Sequence, residues 1–149
     1  LPKFRMYKFE LALALAERIE RSRIHPNMAP LSVDGALEIA KADRQAVFRG
    51  DCATCPVKPG EAKSGKPLYD AVCGICHESK TRASMVPDLR QIKTATNLDF
   101  WQTWIAHGKA GSLMPAFSAP DGGPLSDMQI ATLAQYLTAT FPSQAPEKQ

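Results

Sequence analysis

Five consecutive residues in the second half of the chain constrain its fold and chemistry more than any other feature. They are Cys73-Gly74-Ile75-Cys76-His77, the C-x-x-C-H pattern of covalent haem attachment. Two thiols one helical turn apart can reach both vinyl groups of one porphyrin, and the adjacent imidazole then faces the iron. A bare C-x-x-C also occurs in redox dithiols and zinc sites, but the adjoining histidine favours haem. The pattern therefore predicts one covalent haem c on Cys73 and Cys76, with His77 as an iron ligand.

The size and composition of the chain indicate a single functional centre. The chain has 149 residues, of which 44% are hydrophobic and 22% are charged, as is usual for a globular protein. The net charge of +3 comes without a dense basic run, which argues against a nucleic-acid partner. The longest uncharged stretch, residues 128–146, contains many polar side chains and two prolines. We therefore expect no transmembrane segment in this chain.

Residues 1–62 are expected to form a helical extension that ends in a linker with a cysteine pair. An amphipathic helix near the start of the chain is predicted from apolar residues at helical spacing, namely Phe9, Ala12, Leu13, Ala16 and Ile19. A second helix is predicted to follow Ser32 and to end near Gly50. The segment 52–65 is rich in turn residues, which places the domain boundary there.

Residues 63–142 are assigned to the haem domain and residues 143–149 to a flexible tail. Three helices are predicted in the domain: one from Lys66 into Cys73, one from Leu98 to Ala106, and one that begins at Ser126. Gln129 stands three residues after Ser126, which is the spacing of a capping box. The buried stripe of the last helix is predicted to be Ile130, Leu133, Ala134, Leu137 and Phe141. No segment has the pattern of a strand.

Further motifs surround C-x-x-C-H in a characteristic order. They are Gly65 and Tyr69 before it, then Pro87-Asp88-Leu89, Gly108, Met114-Pro115-Ala116-Phe117, and finally Leu133, Tyr136 and Leu137. In this combination, residues 65–141 resemble the small soluble cytochromes c of class I, which carry His/Met-ligated haem. The resemblance implies an all-α, cytochrome c-like small helical haem domain. Its first and last helices would cross through Gly65, Tyr69, Leu133 and Tyr136, with the haem edge exposed in a crevice.

The resemblance also implies that Met114 is the second axial ligand of the iron. A thioether favours ferrous iron and raises the reduction potential. A methionine that only fills the core is the first alternative. His107 is the other, because neutral imidazole also binds haem iron, although a surface or capping role is favoured for it at the end of its helix.

Three more residues are assigned to cofactor binding through the same resemblance: Pro87, Trp101 and Tyr69. The Pro87 carbonyl would accept a hydrogen bond from the second ring nitrogen of His77, which fixes the tautomer of the ligand. Trp101 or Trp104 would line the pocket and donate an indole N–H to a haem propionate. Core packing is the alternative role for both tryptophans.

A second cysteine pair, Cys52 and Cys55, looks like another haem motif, but Pro56 stands where the axial histidine would be. Haem attachment takes place on the oxidising side of a membrane, where free thiols tend to be oxidised. A Cys52–Cys55 disulfide is therefore the first expectation. A second haem with His25 or His107 as a remote ligand, a metal site and free thiols are the alternatives.

The function that follows is single-electron transfer, because two strong axial ligands leave no open position for a substrate. We therefore expect an electron-transfer protein rather than an enzyme. A peroxidase-like haem enzyme would need a labile sixth ligand. The long extension favours a subunit or docking carrier of a respiratory or photosynthetic chain over a freely diffusing carrier. We expect a periplasmic location, or another on the outer side of an energy-transducing membrane, with a signal peptide already removed.

Overall fold

The structure of the protein is a computed structural model that describes residues 33–50, 57–82 and 85–143. The predicted amphipathic helix near residue 9, His25 and the Cys52–Cys55 pair lie outside these residues. The α-helices are α1 (Val33–Ala42), α2 (Val57–Gly60), α3 (Gly65–Leu68), α4 (Gly74–His77), α5 (Leu98–His107) and α6 (Asp127–Thr140). Within the described ranges the only β-type pairing is an isolated bridge between Ser118 and Leu125. The all-α prediction is therefore confirmed.

The second helix of the extension is shorter than predicted. It ends at Ala42, and the chain continues as a 3-10 helix, Arg44–Phe48. Asp43 breaks the α-helix because its backbone angles, φ −130° and ψ 57°, are not helical. Its carboxylate pairs with Arg49 at 2.5 Å. The expectation of one helix running to Gly50 was thus wrong, and the break turns the 3-10 helix toward the rest of the domain.

The helical segment that begins at Gly65 crosses the last helix, as the resemblance predicts. This segment consists of α3, a π-helical stretch Tyr69–Cys73, and α4 in direct succession. Gly65 approaches α6 closely enough for its N–H to donate to Thr132 Oγ1 at 3.3 Å. One turn further on, the rings of Tyr69 and Tyr136 pack with centroids 5.4 Å apart. These contacts orient the segment, and with it the C-x-x-C-H residues at its end.

The start of α6 is defined by the predicted capping box. The Ser126 hydroxyl accepts from the Gln129 N–H at 3.3 Å, and the Gln129 side chain accepts from the Ser126 N–H at 3.1 Å. Gln129 also donates to the carbonyls of Gly60 and Lys63, at 3.2 and 3.1 Å. The cap therefore ties α2 and the turn after it to the last helix.

The core lies between α5, α6 and the α3–α4 segment. Its side chains are apolar and nearly all withdrawn from water: Leu68, Tyr69, Val72, Leu89, Trp101, Ile105, Phe117, Leu125, Ile130, Leu133, Ala134, Leu137 and Phe141. The predicted buried stripe of α6 is entirely within this set, so that prediction is confirmed. None of the helices in the described part of the chain has the length and apolar character needed to span a bilayer.

Candidate haem-binding site

The two cysteines of the motif are about one helical turn apart and lie on the same side of the helical segment. Cys73 is the last residue of the π-helical stretch, and Cys76 lies in α4, three residues later. Both side chains are half-buried and neither forms a disulfide. Burial raises the pKa of Cys73 to about 12 and also raises the pKa of Cys76. The two side chains are therefore protonated thiols, the form in which cysteine adds to a haem vinyl group.

His77, the last residue of α4, has the geometry of an oriented metal ligand. Its side chain is buried, and Nδ1 lies 3.0 Å from the Pro87 carbonyl oxygen. A carbonyl only accepts hydrogen bonds, so Nδ1 must carry the proton and Nε2 the lone pair. Burial lowers the pKa of His77, against the opposing effect of the Pro87 hydrogen bond. The ring is therefore a neutral imidazole, which is the form that coordinates iron.

The loop that carries Pro87 is tied to the end of α4 by a charged network. Arg90 donates to Glu78 Oε2 at 2.7 Å, and the Tyr69 hydroxyl donates to Glu78 Oε1 at 2.8 Å. The hydrogen bond from Arg90 is the main cause that lowers the pKa of Glu78. Asp88 pairs with Arg82 at 3.4 Å and with Arg90 at 3.5 Å. These contacts hold the Pro87 carbonyl opposite His77, and sequence reasoning had not assigned Glu78 any role.

Tyr69 is placed at the helix crossing rather than at the motif itself. Besides Tyr136, its ring packs against Phe141 with centroids 5.8 Å apart. Its side chain is almost fully buried, and its hydroxyl is engaged by Glu78. Tyr69 thus links the crossing to the charged network, while its assignment to cofactor binding stays a prediction.

Met114 lies in a tightly folded loop between α5 and the 3-10 helix Ala119–Asp121. Its side chain is half-buried and packs against the core cluster that Cys73 also contacts. Its carbonyl accepts from the Lys109 N–H at 3.1 Å, and its N–H donates to Ser112 Oγ at 3.1 Å. Gly108 closes the loop, with φ +63° and no room for a side chain beside the Met114 and Pro115 carbonyls. The backbone around Met114 is therefore fixed on both sides.

The Trp101 side chain has a buried hydrogen-bond donor that a bound haem could satisfy. Its side chain is only 4% exposed, yet Nε1 is buried and has no hydrogen-bond partner among the described residues. A buried donor left unsatisfied costs about 1–3 kcal/mol, so such groups normally have a partner. A haem propionate is an acceptor of the kind this N–H lacks. The residues present therefore fit a haem, whose carboxylate Trp101 would hold.

His107, the competing iron ligand, forms a hydrogen bond at the surface. Its Nδ1 lies 2.6 Å from Asp121 Oδ2, and its side chain is 65% exposed. Asp121 is held in turn by the Ser118 hydroxyl at 2.7 Å. His107 is the final residue of α5, so this position fits the surface or capping role that the sequence favoured.

More than half of the chain matches a known protein family. Residues 60–137 match the family described as cytochrome c oxidase, cbb3-type, subunit III. The chain belongs to this family. The matched segment includes Cys73, Cys76, His77 and Met114, and it ends within α6. The resemblance to cytochromes c is thereby confirmed, and membership indicates covalently bound haem c and haem-based electron transfer.

No individual curated protein and no solved structure gave a significant match. The described residues contain no cluster of three or more His, Cys, Asp and Glu side chains that would hold another metal ion.

Proposed function

We propose that this chain transfers single electrons through one haem c, attached to Cys73 and Cys76 and ligated by His77 and Met114. The observation that carries the proposal is the hydrogen bond of 3.0 Å between His77 Nδ1 and the Pro87 carbonyl. His77 directly follows the half-buried cysteine pair in the sequence. The hydrogen bond leaves Nε2 as the basic nitrogen of a neutral, buried ring. Family membership supports the same chemistry for residues 60–137.

When bound, the haem supplies an iron atom that alternates between the ferrous and ferric states. The residues of the chain control that change. His77 would hold the iron through Nε2 while Pro87 fixes its ring, and the Met114 thioether would favour the ferrous state. The apolar core would limit access of water to the haem, which also favours a higher potential. If His77 and Met114 both hold the iron, a substrate has no open position there, which is why we propose an electron carrier rather than a peroxidase-like enzyme.

The proposed partner is a larger membrane-associated oxidase complex. The family description names an oxidase subunit, and the chain carries an extension longer than haem attachment requires. Covalent haem attachment takes place in an oxidising compartment. We therefore propose that the chain works in the periplasm, or otherwise on the outer side of an energy-transducing membrane, as a subunit or docking carrier of a respiratory chain.

Met114→Ala tests the proposed ligation. The variant should keep its covalent haem, because the thioether bonds do not involve this position. The sixth coordination position should open to water or added imidazole, the Met–iron charge-transfer band should vanish, and the potential should fall by on the order of 0.1 V or more. Visible spectroscopy and a redox titration measure these changes. An unchanged spectrum and potential would exclude Met114 as the ligand and make His107 the leading candidate.

Trp101→Phe tests the fit of the haem carboxylate beside α5. The substitution keeps an aromatic ring in the core but removes the indole N–H, so the holoprotein should lose about 1–3 kcal/mol of unfolding free energy. Trp104→Phe is the matched control, because the Trp104 ring is only half-buried and lies under Lys109 at 5.7 Å. Denaturant unfolding measures both variants. Equal losses would show that the Trp101 N–H has no special acceptor in the holoprotein.

A further inference from the structure

One glutamine of the N-terminal extension reaches into the backbone of the Met114 loop. Gln45, in the 3-10 helix Arg44–Phe48, accepts from the Ala116 N–H at 2.7 Å. Its Nε2 donates to the Ala116 carbonyl at 2.9 Å and to the Asp121 carbonyl at 3.0 Å. A single side-chain amide thus satisfies both backbone groups of the residue two positions after Met114. The side-chain amide bonds the N–H and the C=O of Ala116 as a neighbouring β-strand would, and this restrains the position and direction of the loop backbone.

Neighbours of Gln45 contact the same loop on both sides of Met114. Leu113 packs against a small buried cluster formed by Ala40 and Ala46. On the other side, the ring of Phe48 packs edge-on against Phe117 with centroids 5.1 Å apart. The extension therefore covers the loop immediately before and after the methionine, rather than touching it at one point.

Arg44 adds a contact where the loop begins. Its Nη2 donates to the His107 carbonyl at the end of α5, at 3.1 Å. The loop also has restraints of its own, since the Phe117 N–H donates to the Ile105 carbonyl at 3.0 Å. At Ala116, however, the N–H donates to the Gln45 side chain and the carbonyl accepts from it. The Met114 backbone is thus held within the loop, and the Ala116 backbone, two positions later, is held by the extension.

The chemistry of the ligand makes this contact important. A thioether is uncharged and binds iron more weakly than a thiolate, so a small displacement of its loop allows water or another ligand to replace it. On the basis of the His77 and Met114 ligation proposed above, we propose that Gln45 is a positioning residue that keeps the Met114 thioether at the iron. Residues 39–48 of the extension are then part of the redox centre, and their removal or displacement would change the ligand set.

Gln45→Leu tests the proposal in the full-length holoprotein. The variant keeps the volume of the side chain but loses all three hydrogen bonds. We expect affinity for added imidazole to rise on the order of tenfold, which corresponds to about 1.4 kcal/mol. The reduction potential should fall, and the charge-transfer band should disappear at a lower temperature than in the parent. Exchange of the Ala116 amide hydrogen, followed by NMR, should become faster. The covalent haem should stay in place.

Gln135→Leu is the matched control, because Gln135 lies on the exposed face of α6 and its side chain forms no hydrogen bond with another described residue. It should change imidazole affinity less than twofold. Gln45→Glu provides a second variant if Gln45→Leu fails to fold. It keeps an acceptor for the Ala116 N–H but sets a carboxylate against the Ala116 and Asp121 carbonyls. It should also increase imidazole binding.

The outcomes separate this proposal from the ligation on which it rests. If Met114→Ala changes the spectrum but both Gln45 variants bind imidazole as the parent does, Gln45 has no positioning role. A lower melting temperature with an unchanged potential and band would show a purely structural role and would also overturn the proposal. If Met114→Ala leaves the spectrum unchanged, the ligation itself is wrong, and the positioning role is excluded with it.

Discussion

Replacing Cys73 and Cys76 together by alanine should abolish covalent haem attachment. The two thiols are the only attachment points proposed for the haem, and their spacing of one helical turn matches the two vinyl groups of one porphyrin. The intact mass of the denatured parent should equal the chain plus one haem, and that of the double variant should equal the chain alone. The effect is complete, because noncovalent haem is lost on denaturation.

Cys52→Ser with Cys55→Ser is the matched control, since it removes a cysteine pair of the same spacing. It should retain one haem and an unchanged visible spectrum. The proposed Cys52–Cys55 disulfide, which lies outside the described residues, should appear in the parent as a gain of two hydrogens on reduction. A parent mass with two haems would contradict the proposal and indicate a dihaem cytochrome that uses the second pair.

Gly108→Ala should destabilise the protein strongly, by about 4 kcal/mol when the backbone strain and the steric overlap are added. Gly108 has φ +63° and ψ −159°, a backbone region that essentially only glycine adopts. A Cβ there would lie 2.4 Å from the Pro115 oxygen and 2.5 Å from the Met114 oxygen. Both are backbone atoms, so the loop itself must move, and overpacking of this kind adds about 1–3 kcal/mol to the conformational cost. The displaced loop should also weaken the proposed bond from Met114 to the haem iron.

Gly111→Ala is the control for the conformational part of this effect. Gly111 also has a positive φ, +71°, but a Cβ there meets no atom within 4 Å. The expected loss is about 1–2 kcal/mol, with the charge-transfer band preserved. Denaturant unfolding and imidazole titration of both variants measure the difference. Equal destabilisation by the two substitutions would show that the close approach at Gly108 does not constrain the loop.

Short-range patterns predicted much of the fold. The capping box of Ser126 and Gln129 forms within one turn of α6, so its residues determine its geometry without help from the rest of the chain. The buried stripe of the same helix follows from helical periodicity. The C-x-x-C-H turn is equally local. Each of these features is encoded within a few consecutive residues.

Contacts between distant segments could not be predicted in the same way. Gln45 looks like an ordinary polar residue of a helix, and only the folded chain brings it to Ala116, 71 positions later. The network of Glu78 with Arg90 requires the Pro87 loop to fold back on α4. The early end of α1 at Ala42 also depends on tertiary contacts, since the following turn is held by long-range hydrogen bonds from Arg44 and Gln45.

The π-helical stretch Tyr69–Cys73 determines the angle between the side of the segment that packs on α6 and the side that carries the C-x-x-C-H residues. Each α-helical residue rotates the side-chain direction by about 100°, and a π turn accommodates one additional residue. Tyr69 faces the crossing with α6, whereas Cys76 and His77 follow the wider turn. The length of the π-helical stretch thus sets the direction of the His77 side chain, and shortening the stretch by one residue would rotate the imidazole away from the Pro87 carbonyl while leaving the crossing unchanged.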